Sequence, residues 1–268
     1  MSWVARCLHL PVGNLMAISL GFGCTTLAIC AARDLPARRR LVYLVSFIPC
    51  TAQLPLITFL FLSLLHWPFW SVIVLYLASL LVGLIVMLFV PKNSNPVIIE
   101  PVRLHWPNLW ACLLDTLKQT VLFAKKIFIA FAVSAFVIVI LARFTFHCQF
   151  TTDPQNSILF SICGVLSPLF RPLGLDNPAI ICALLFGIIA KESAVSVLLF
   201  FPGIINALSI PAVLALVVFY TLYPKCIAAQ TAMCSTCNRR TSLTLFITNL
   251  LVAYGLAFVV YTICGNFI

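Results

Sequence analysis

The chain has 268 residues, 63% of them hydrophobic and 8% charged, with 16 Lys and Arg against 6 Asp and Glu for a formal net charge of +10. An ordinary soluble domain carries roughly 25% charged residues, so this composition excludes a water-solvated fold and leaves lipid as the solvent of the exterior. The positive excess reads as loop charge facing an anionic leaflet, and nucleic acid is excluded as a partner because no stretch interleaves basic and aromatic residues on a polar face.

The expected fold is all-α, a polytopic helical membrane protein in the lipid bilayer with about seven apolar segments. Residues Met1 to Leu10 hold a single Arg and no cleavage site before a polar region, so no signal peptide is expected. The first apolar segment, Pro11–Ala32, is interrupted by Gly21-Phe22-Gly23. Leu41–Leu65 and Trp67–Val90 form a close pair turning at His66-Trp67-Pro68. A basic stretch, Pro91–Lys126, follows, and its part Asn108–Lys126 has the apolar spacing of an interfacial helix. Ile127–Phe146 comes next, then Ser157–Leu173, a second interfacial pattern. Pro178–Phe201, Ile210–Gln230 and Leu243–Ile263 complete the series. Each span approaches the ~20 residues that cross ~30 Å of hydrocarbon. Three regions result: 1–90 with the first spans, 91–126 as a cytoplasmic basic loop with an interfacial helix, and 127–268 with the last spans.

Arg33 with Arg38 to Arg40, and Lys92 to Lys126, mark two loops as cytoplasmic. Simple alternation then places Arg239 and Arg240 outside, against the same rule. A broken or re-entrant segment within Pro178–Phe201 or Ile210–Gln230 removes the conflict, and such segments occur where they line a cavity or are buried in protein.

Lys191 and Glu192 lie inside an apolar run, where a charge costs ~2.5–3.5 kcal/mol or more at the bilayer centre. Neighbours on a helix point about 100° apart, so each needs its own partner or water. A buried ion pair to another helix and a cation site are both open. Cys24 follows the two glycines of a helix break. Cys50 stands in Pro49-Cys50-Thr51-Ala52-Gln53-Leu54-Pro55, and Cys226 in Tyr223-Pro224-Lys225-Cys226. A Cys next to a helix breaker thus recurs three times, and thiols beside freed carbonyls suit a soft or borderline cation. Cys30, Cys112, Cys163 and Cys182 sit singly in apolar runs and read as small hydrophobes. Cys234-Ser235-Thr236-Cys237 is a lone CxxC with no second pair to complete a zinc site. His9, His66, His105 and His147 read as polar residues of span ends or loops. No GxxxxGK[ST] phosphate loop occurs, so no nucleotide site of that kind is expected.

At these motifs the sequence resembles the FeoB-type ferrous iron transporters. Gly21-Phe22-Gly23-Cys24 with Ala28-Ile29 and Arg33 is similar to GFGCNVPAIMATR of their first gate. Phe47 to Pro55 is similar to PFMSCSARLP. Ser167 to Phe170 with Pro172 to Asp176, then Gly187 and Ala190-Lys191-Glu192, resembles SPLFAPLGLDW…GFxAKE, and Tyr223 to Cys226 resembles YxPC of the second gate. The sequence departs at Thr25-Thr26-Leu27, where the family has Asn-Val-Pro, at Gln53 for Arg, and at Lys225, which splits the Pro-Cys pair.

The resemblance implies the membrane permease part of a Fe²⁺ uptake transporter in the cell inner membrane, not an enzyme. Fe²⁺ is the transported ion, passing Cys24, Cys50 and Cys226 with Glu192 as the anionic group. It also implies that the family's GTP-binding domain and first spans lie on a separate chain, or that the protein self-associates. The alternatives are a non-transporting subunit or degenerate fragment, and a membrane thiol-redox protein using Cys234 and Cys237.

Overall fold

The computed structural model describes residues 12–33, 35, 38–65, 67–91, 108–143, 158–200 and 208–267. The four histidines and Lys92 to Arg103 of the basic loop lie outside them. Helix α1 spans Val12–Gly23, α2 Thr25–Ala31 and α3 Arg38–Phe47. A 3₁₀ turn, Thr51–Gln53, leads into α4, Leu54–Phe59, and a π-turn, Leu60–Leu64. Then come α5 Trp70–Leu88, α6 Leu109–Arg143 and α7 Ile158–Phe170. Helices α8 Pro178–Ile189, α9 Lys191–Phe200, α10 Ile210–Leu222, α11 Ile227–Thr236 and α12 Arg239–Phe267 complete the order. The described residues form helices and no strand, as the all-α class requires.

Among the described residues four helices are long and apolar enough to cross a membrane: Arg38–Leu62, Trp70–Leu88, Ile210–Thr236 and Arg239–Asn266. The first and third are 67% and 72% buried inside the protein, whereas Trp70–Leu88 and Arg239–Asn266 are each 22% buried. The two buried spans are the two that carry Pro-Cys breaks, so irregular backbone is sheltered by protein while the unbroken helices face lipid. Leu77, Leu81 and Leu88 of α5 and Leu243, Ile247 and Leu251 of α12 form that outer apolar surface.

Phe160–Leu173 and Pro178–Ile189 are bent by 100° at a short break, which makes them one broken span or a re-entrant loop. Gly174 at φ 69 sits at the bend, in the left-handed conformation that a residue with a Cβ rarely adopts. The Ser167 hydroxyl donates to the Asp176 carbonyl across the bend, and Asn177 Oδ1 accepts from Ala179 N at 3.0 Å to start α8. Counted as one broken span, the pair adds a crossing to Arg38–Leu62, Trp70–Leu88 and Ile210–Thr236, and the even total returns Arg239 and Arg240 to the side of Arg33–Arg40. Arg38 and Arg39 lie within electrostatic reach of Cys237, in keeping with that placement. Cys237 also packs on the cluster that includes Leu35.

Pro11–Ala32 and Pro178–Phe201 are not continuous spans, since they break at Cys24 and at Ala190. Conversely, α6 runs from the interfacial pattern straight into the following span without a break, because the sequence there contains neither Pro nor Gly. Cys163 and Cys182 are bonded to each other as a disulfide between α7 and α8, their Cα atoms 5.8 Å apart. The bend brings these two helices side by side, so the reading of both residues as lone apolar cysteines is corrected.

Candidate functional site

Each of the three cysteines next to a helix breaker stands just before the first residue of a helix, with non-helical backbone. Cys24 (φ −142, ψ 114) precedes α2, Cys50 (φ −86, ψ 161) precedes the 3₁₀ turn, and Cys226 (φ −58, ψ 160) precedes α11. A fourth break, at Ala190 (φ −139, ψ 126), separates α8 from α9 and puts Lys191 and Glu192 at a helix start. No Pro or Gly stands at that fourth break, so only the two charges hinted at it.

The breaks meet. Their freed carbonyls are taken by side chains from one another, as the near-complete pairing of buried backbone groups demands. Thr51 Oγ1, beside Cys50, donates to the Gly23 carbonyl at 2.8 Å, joining the second break to the first. Gln53 Nε2 donates to the carbonyls of Tyr220 at 2.6 Å and Thr221 at 3.2 Å, and its Oε1 accepts from Cys50 N at 3.1 Å. Lys225 Nζ donates to the Ile48 carbonyl at 3.0 Å. Lys191 Nζ donates to the Pro224 carbonyl at 2.8 Å and lies 3.3 Å from the centre of the Tyr223 ring. Tyr220 hydroxyl closes the circuit by donating to the Lys191 carbonyl at 2.6 Å. Gln53, Lys191, Tyr220, Tyr223 and Lys225 are all at most 2% exposed.

The chemistry follows from where these carbonyls sit. Ile48 lies just past the C-terminus of α3 and Pro224 just past that of α10, and helix C-termini carry partial negative charge. Half-helix C-termini and unwound carbonyls are the groups with which membrane transporters hold cations. In this structure both ends are occupied by ammonium groups. Lysine is suited to that place because three N–H donors and a full charge replace a cation's ligand bonds.

The candidate metal residues are distributed unevenly around this circuit. Cys24, Cys50 and Cys226 lie close enough to interact electrostatically, and Cys226 packs against the cluster of Ala28, Ile29 and Ile48. Cys50 is 8% exposed. Glu192, read from the sequence as deep in a span, is exposed in the first turn of α9. The break at Ala190 explains the difference: helix α9 starts there, so Glu192 meets the positive helix end while Lys191 turns inward. Among the described residues no three His, Cys, Asp or Glu side chains form a metal-holding group. Tyr220 was not legible in the sequence, since its hydroxyl has no signal in spacing, whereas Gln53 was legible as a polar side chain at the second break and as a departure from an arginine.

The Fe(2+) transporter FeoB of Methanocaldococcus jannaschii is 27% identical over 283 aligned positions, 96% of this chain and 42% of that protein. The chain resembles the Fe(2+) transporter FeoB. FeoB of Salmonella typhimurium is 26% identical and FeoB of Escherichia coli 27% identical, each over 215 positions that cover 74% of this chain and 27% of the relative. The chain therefore spans less than half the length of the FeoB proteins it matches. No family model and no solved structure matches it.

Proposed function

We propose that this chain is the membrane permease part of a ferrous iron uptake transporter of the cell membrane, the inner membrane in a two-membrane cell. One observation carries the reading: three helix breaks meet in a buried circuit of carbonyls, amide, hydroxyl and ammonium groups, and a Thr51 hydrogen bond at its exposed edge ties in the break at Gly23. A scaffold has no need of such breaks, since a buried half-satisfied backbone is a cost and unbroken helices avoid it. The similarity to FeoB supplies the cation.

In this reading Fe²⁺ passes Cys24, Cys50 and Cys226 when the circuit opens, with Glu192 at its edge. Thiol ligands favour a borderline cation such as Fe²⁺ over Mg²⁺ and Ca²⁺. Energy coupling is assigned to a GTP-binding domain on a separate chain or to self-association. A non-transporting membrane subunit is the second reading, favoured by one observation, that Lys225 already fills a carbonyl site. The thiol-redox reading has less behind it, because burial pushes the Cys237 thiol up against the opposing pull of Arg38 and Arg39. Redox thiols depend on the reverse shift.

The test is anaerobic Fe²⁺ entry into proteoliposomes carrying the chain, read by quenching of an entrapped chelating dye, with Cys50→Ser and Cys226→Ser beside it. Entry lost in both variants supports the permease. Entry equal in all three proteins removes the thiols from the path. No entry in any of them favours the non-transporting subunit.

A further inference from the structure

Lys225 is the residue at which the second-gate motif departs from its Pro-Cys pattern, and its ammonium, like the Gln53 amide, joins the two Pro-Cys breaks. The side chain is 1% exposed, and its Nζ meets the Ile48 carbonyl beyond the end of α3. Cys50 is two residues from that carbonyl and Cys226 is the next residue after the lysine. A charge placed there is expensive unless something compensates it. What compensates it is the negative end of α3 together with the freed carbonyl, the same arrangement that would bind a cation.

We propose that the Lys225 ammonium is a tethered cation that holds the path shut between Cys50 and Cys226, making Lys225 the residue that sets which cations enter and when. The inference rests on the transport reading above. A cation arriving at Cys50 meets a like charge at close range, and like-charge juxtaposition in a buried site costs several kcal/mol. Passage therefore requires Lys225 to leave the Ile48 carbonyl. Lys191, on the Pro224 carbonyl one residue before, holds the facing side of the same turn and keeps the Lys225 backbone in register.

The experiment reads the plug without iron. Purified protein in detergent is exposed to a cationic methanethiosulfonate, a quaternary ammonium thiol reagent, and modification of Cys50 and Cys226 is followed by peptide mass spectrometry. Lys225→Gln keeps an N–H for the Ile48 carbonyl and removes the charge, Lys225→Met removes both, and Lys225→Arg keeps the charge. Relief of like-charge repulsion predicts a rise at Cys50 of about tenfold or more in the Gln and Met variants, with Arg near wild type. Unchanged rates in folded Gln and Met variants overturn the proposal. So does an equal rise in the Arg variant, or a folded Arg variant beside Gln and Met variants that do not fold, since either makes Lys225 a structural prop. Fe²⁺ entry into proteoliposomes is measured in parallel. Faster labelling with no entry in any variant upholds the plug and removes the iron reading, so the two fail separately.

Discussion

Gln53 Nε2 donates to the Tyr220 carbonyl at 2.6 Å and so stands in for the N–H that Pro224 lacks. In an unbroken helix that carbonyl would accept from residue 224, and proline leaves it without a donor. The same amide accepts from Cys50 N through Oε1 at 3.1 Å. One side chain therefore satisfies both Pro-Cys breaks. Gln53→Leu is expected to leave both groups unmet, at about 1–3 kcal/mol for each buried orphan. Gln53→Glu keeps the acceptor for Cys50 but turns a carboxylate toward two carbonyls, and it too should lower stability. Thermal unfolding followed by size-exclusion chromatography in detergent checks this, and melting curves that match wild type would show that Gln53 is not the brace of the circuit.

Gly187 gives a second, sharper expectation. A Cβ there would run into the Tyr223 hydroxyl, and it would lie 3.2 Å from the Ala194 Cβ. Overpacking of this kind costs about 1–3 kcal/mol, so Gly187→Ala should lower the melting temperature. Among the described residues the buried Tyr223 hydroxyl has no hydrogen-bond partner. Removing it by Tyr223→Phe should then restore most of the loss in the double variant. A double variant no more stable than Gly187→Ala would place the clash elsewhere.

Much of this site was legible in the sequence, for a physical reason. Gly21-Phe22-Gly23, Pro49 and Pro224 are backbone signals, and they located three breaks and the cysteines beside them. Which breaks touch was not legible, because Thr51 reaches Gly23 and Gln53 reaches Tyr220 across distances in sequence that no local pattern encodes. The break at Ala190 carries no Gly or Pro, so Lys191 and Glu192 looked mid-helix when they begin one. Cys163 and Cys182 looked alone because the 100° bend that pairs their helices lies between them.

The arrangement around Cys237 makes a topological prediction. Arg38 and Arg39 act on this residue electrostatically, and Arg239 follows it by two, so the two basic segments are expected to share one side of the membrane. Single cysteines placed at Arg39 and Arg240 in a cysteine-free background should be labelled from the same side, the cytoplasmic one by the positive-inside rule. Labelling from opposite sides would show that α7 and α8 do not together cross the membrane.

The same residue has a pH signature. Burial holds its proton more tightly in the folded protein, and the two arginines only partly oppose this. Its alkylation by iodoacetamide at neutral pH should therefore lag that of an unstructured peptide thiol, and the gap should narrow as pH rises past the ordinary thiol range. The sign for stability is the matching one: the unfolded chain loses this proton first, so alkaline pH weakens the folded state. Arg38→Gln with Arg39→Gln should widen the lag. A Cys237 that reacts faster than the peptide at neutral pH would revive the thiol-redox reading.

Glu192 separates a cation role from a pairing role. Its side chain is exposed at the start of α9, and Lys225 is held by the Ile48 carbonyl, so Glu192→Gln breaks no buried pair. Breaking a buried pair costs ~3–5 kcal/mol and would deplete folded protein. Losing a carboxylate at a helix N-terminus costs only about 0.3–1 kcal/mol. The variant should accordingly reach the membrane at wild-type abundance, measured by blot of purified membranes. If Glu192 lies on the path, Fe²⁺ entry into proteoliposomes should fall while abundance holds. Depleted protein would show that Glu192 pairs with a cation in the membrane after all. Normal abundance with normal entry would confine the path to the three cysteines and the carbonyls around Lys225.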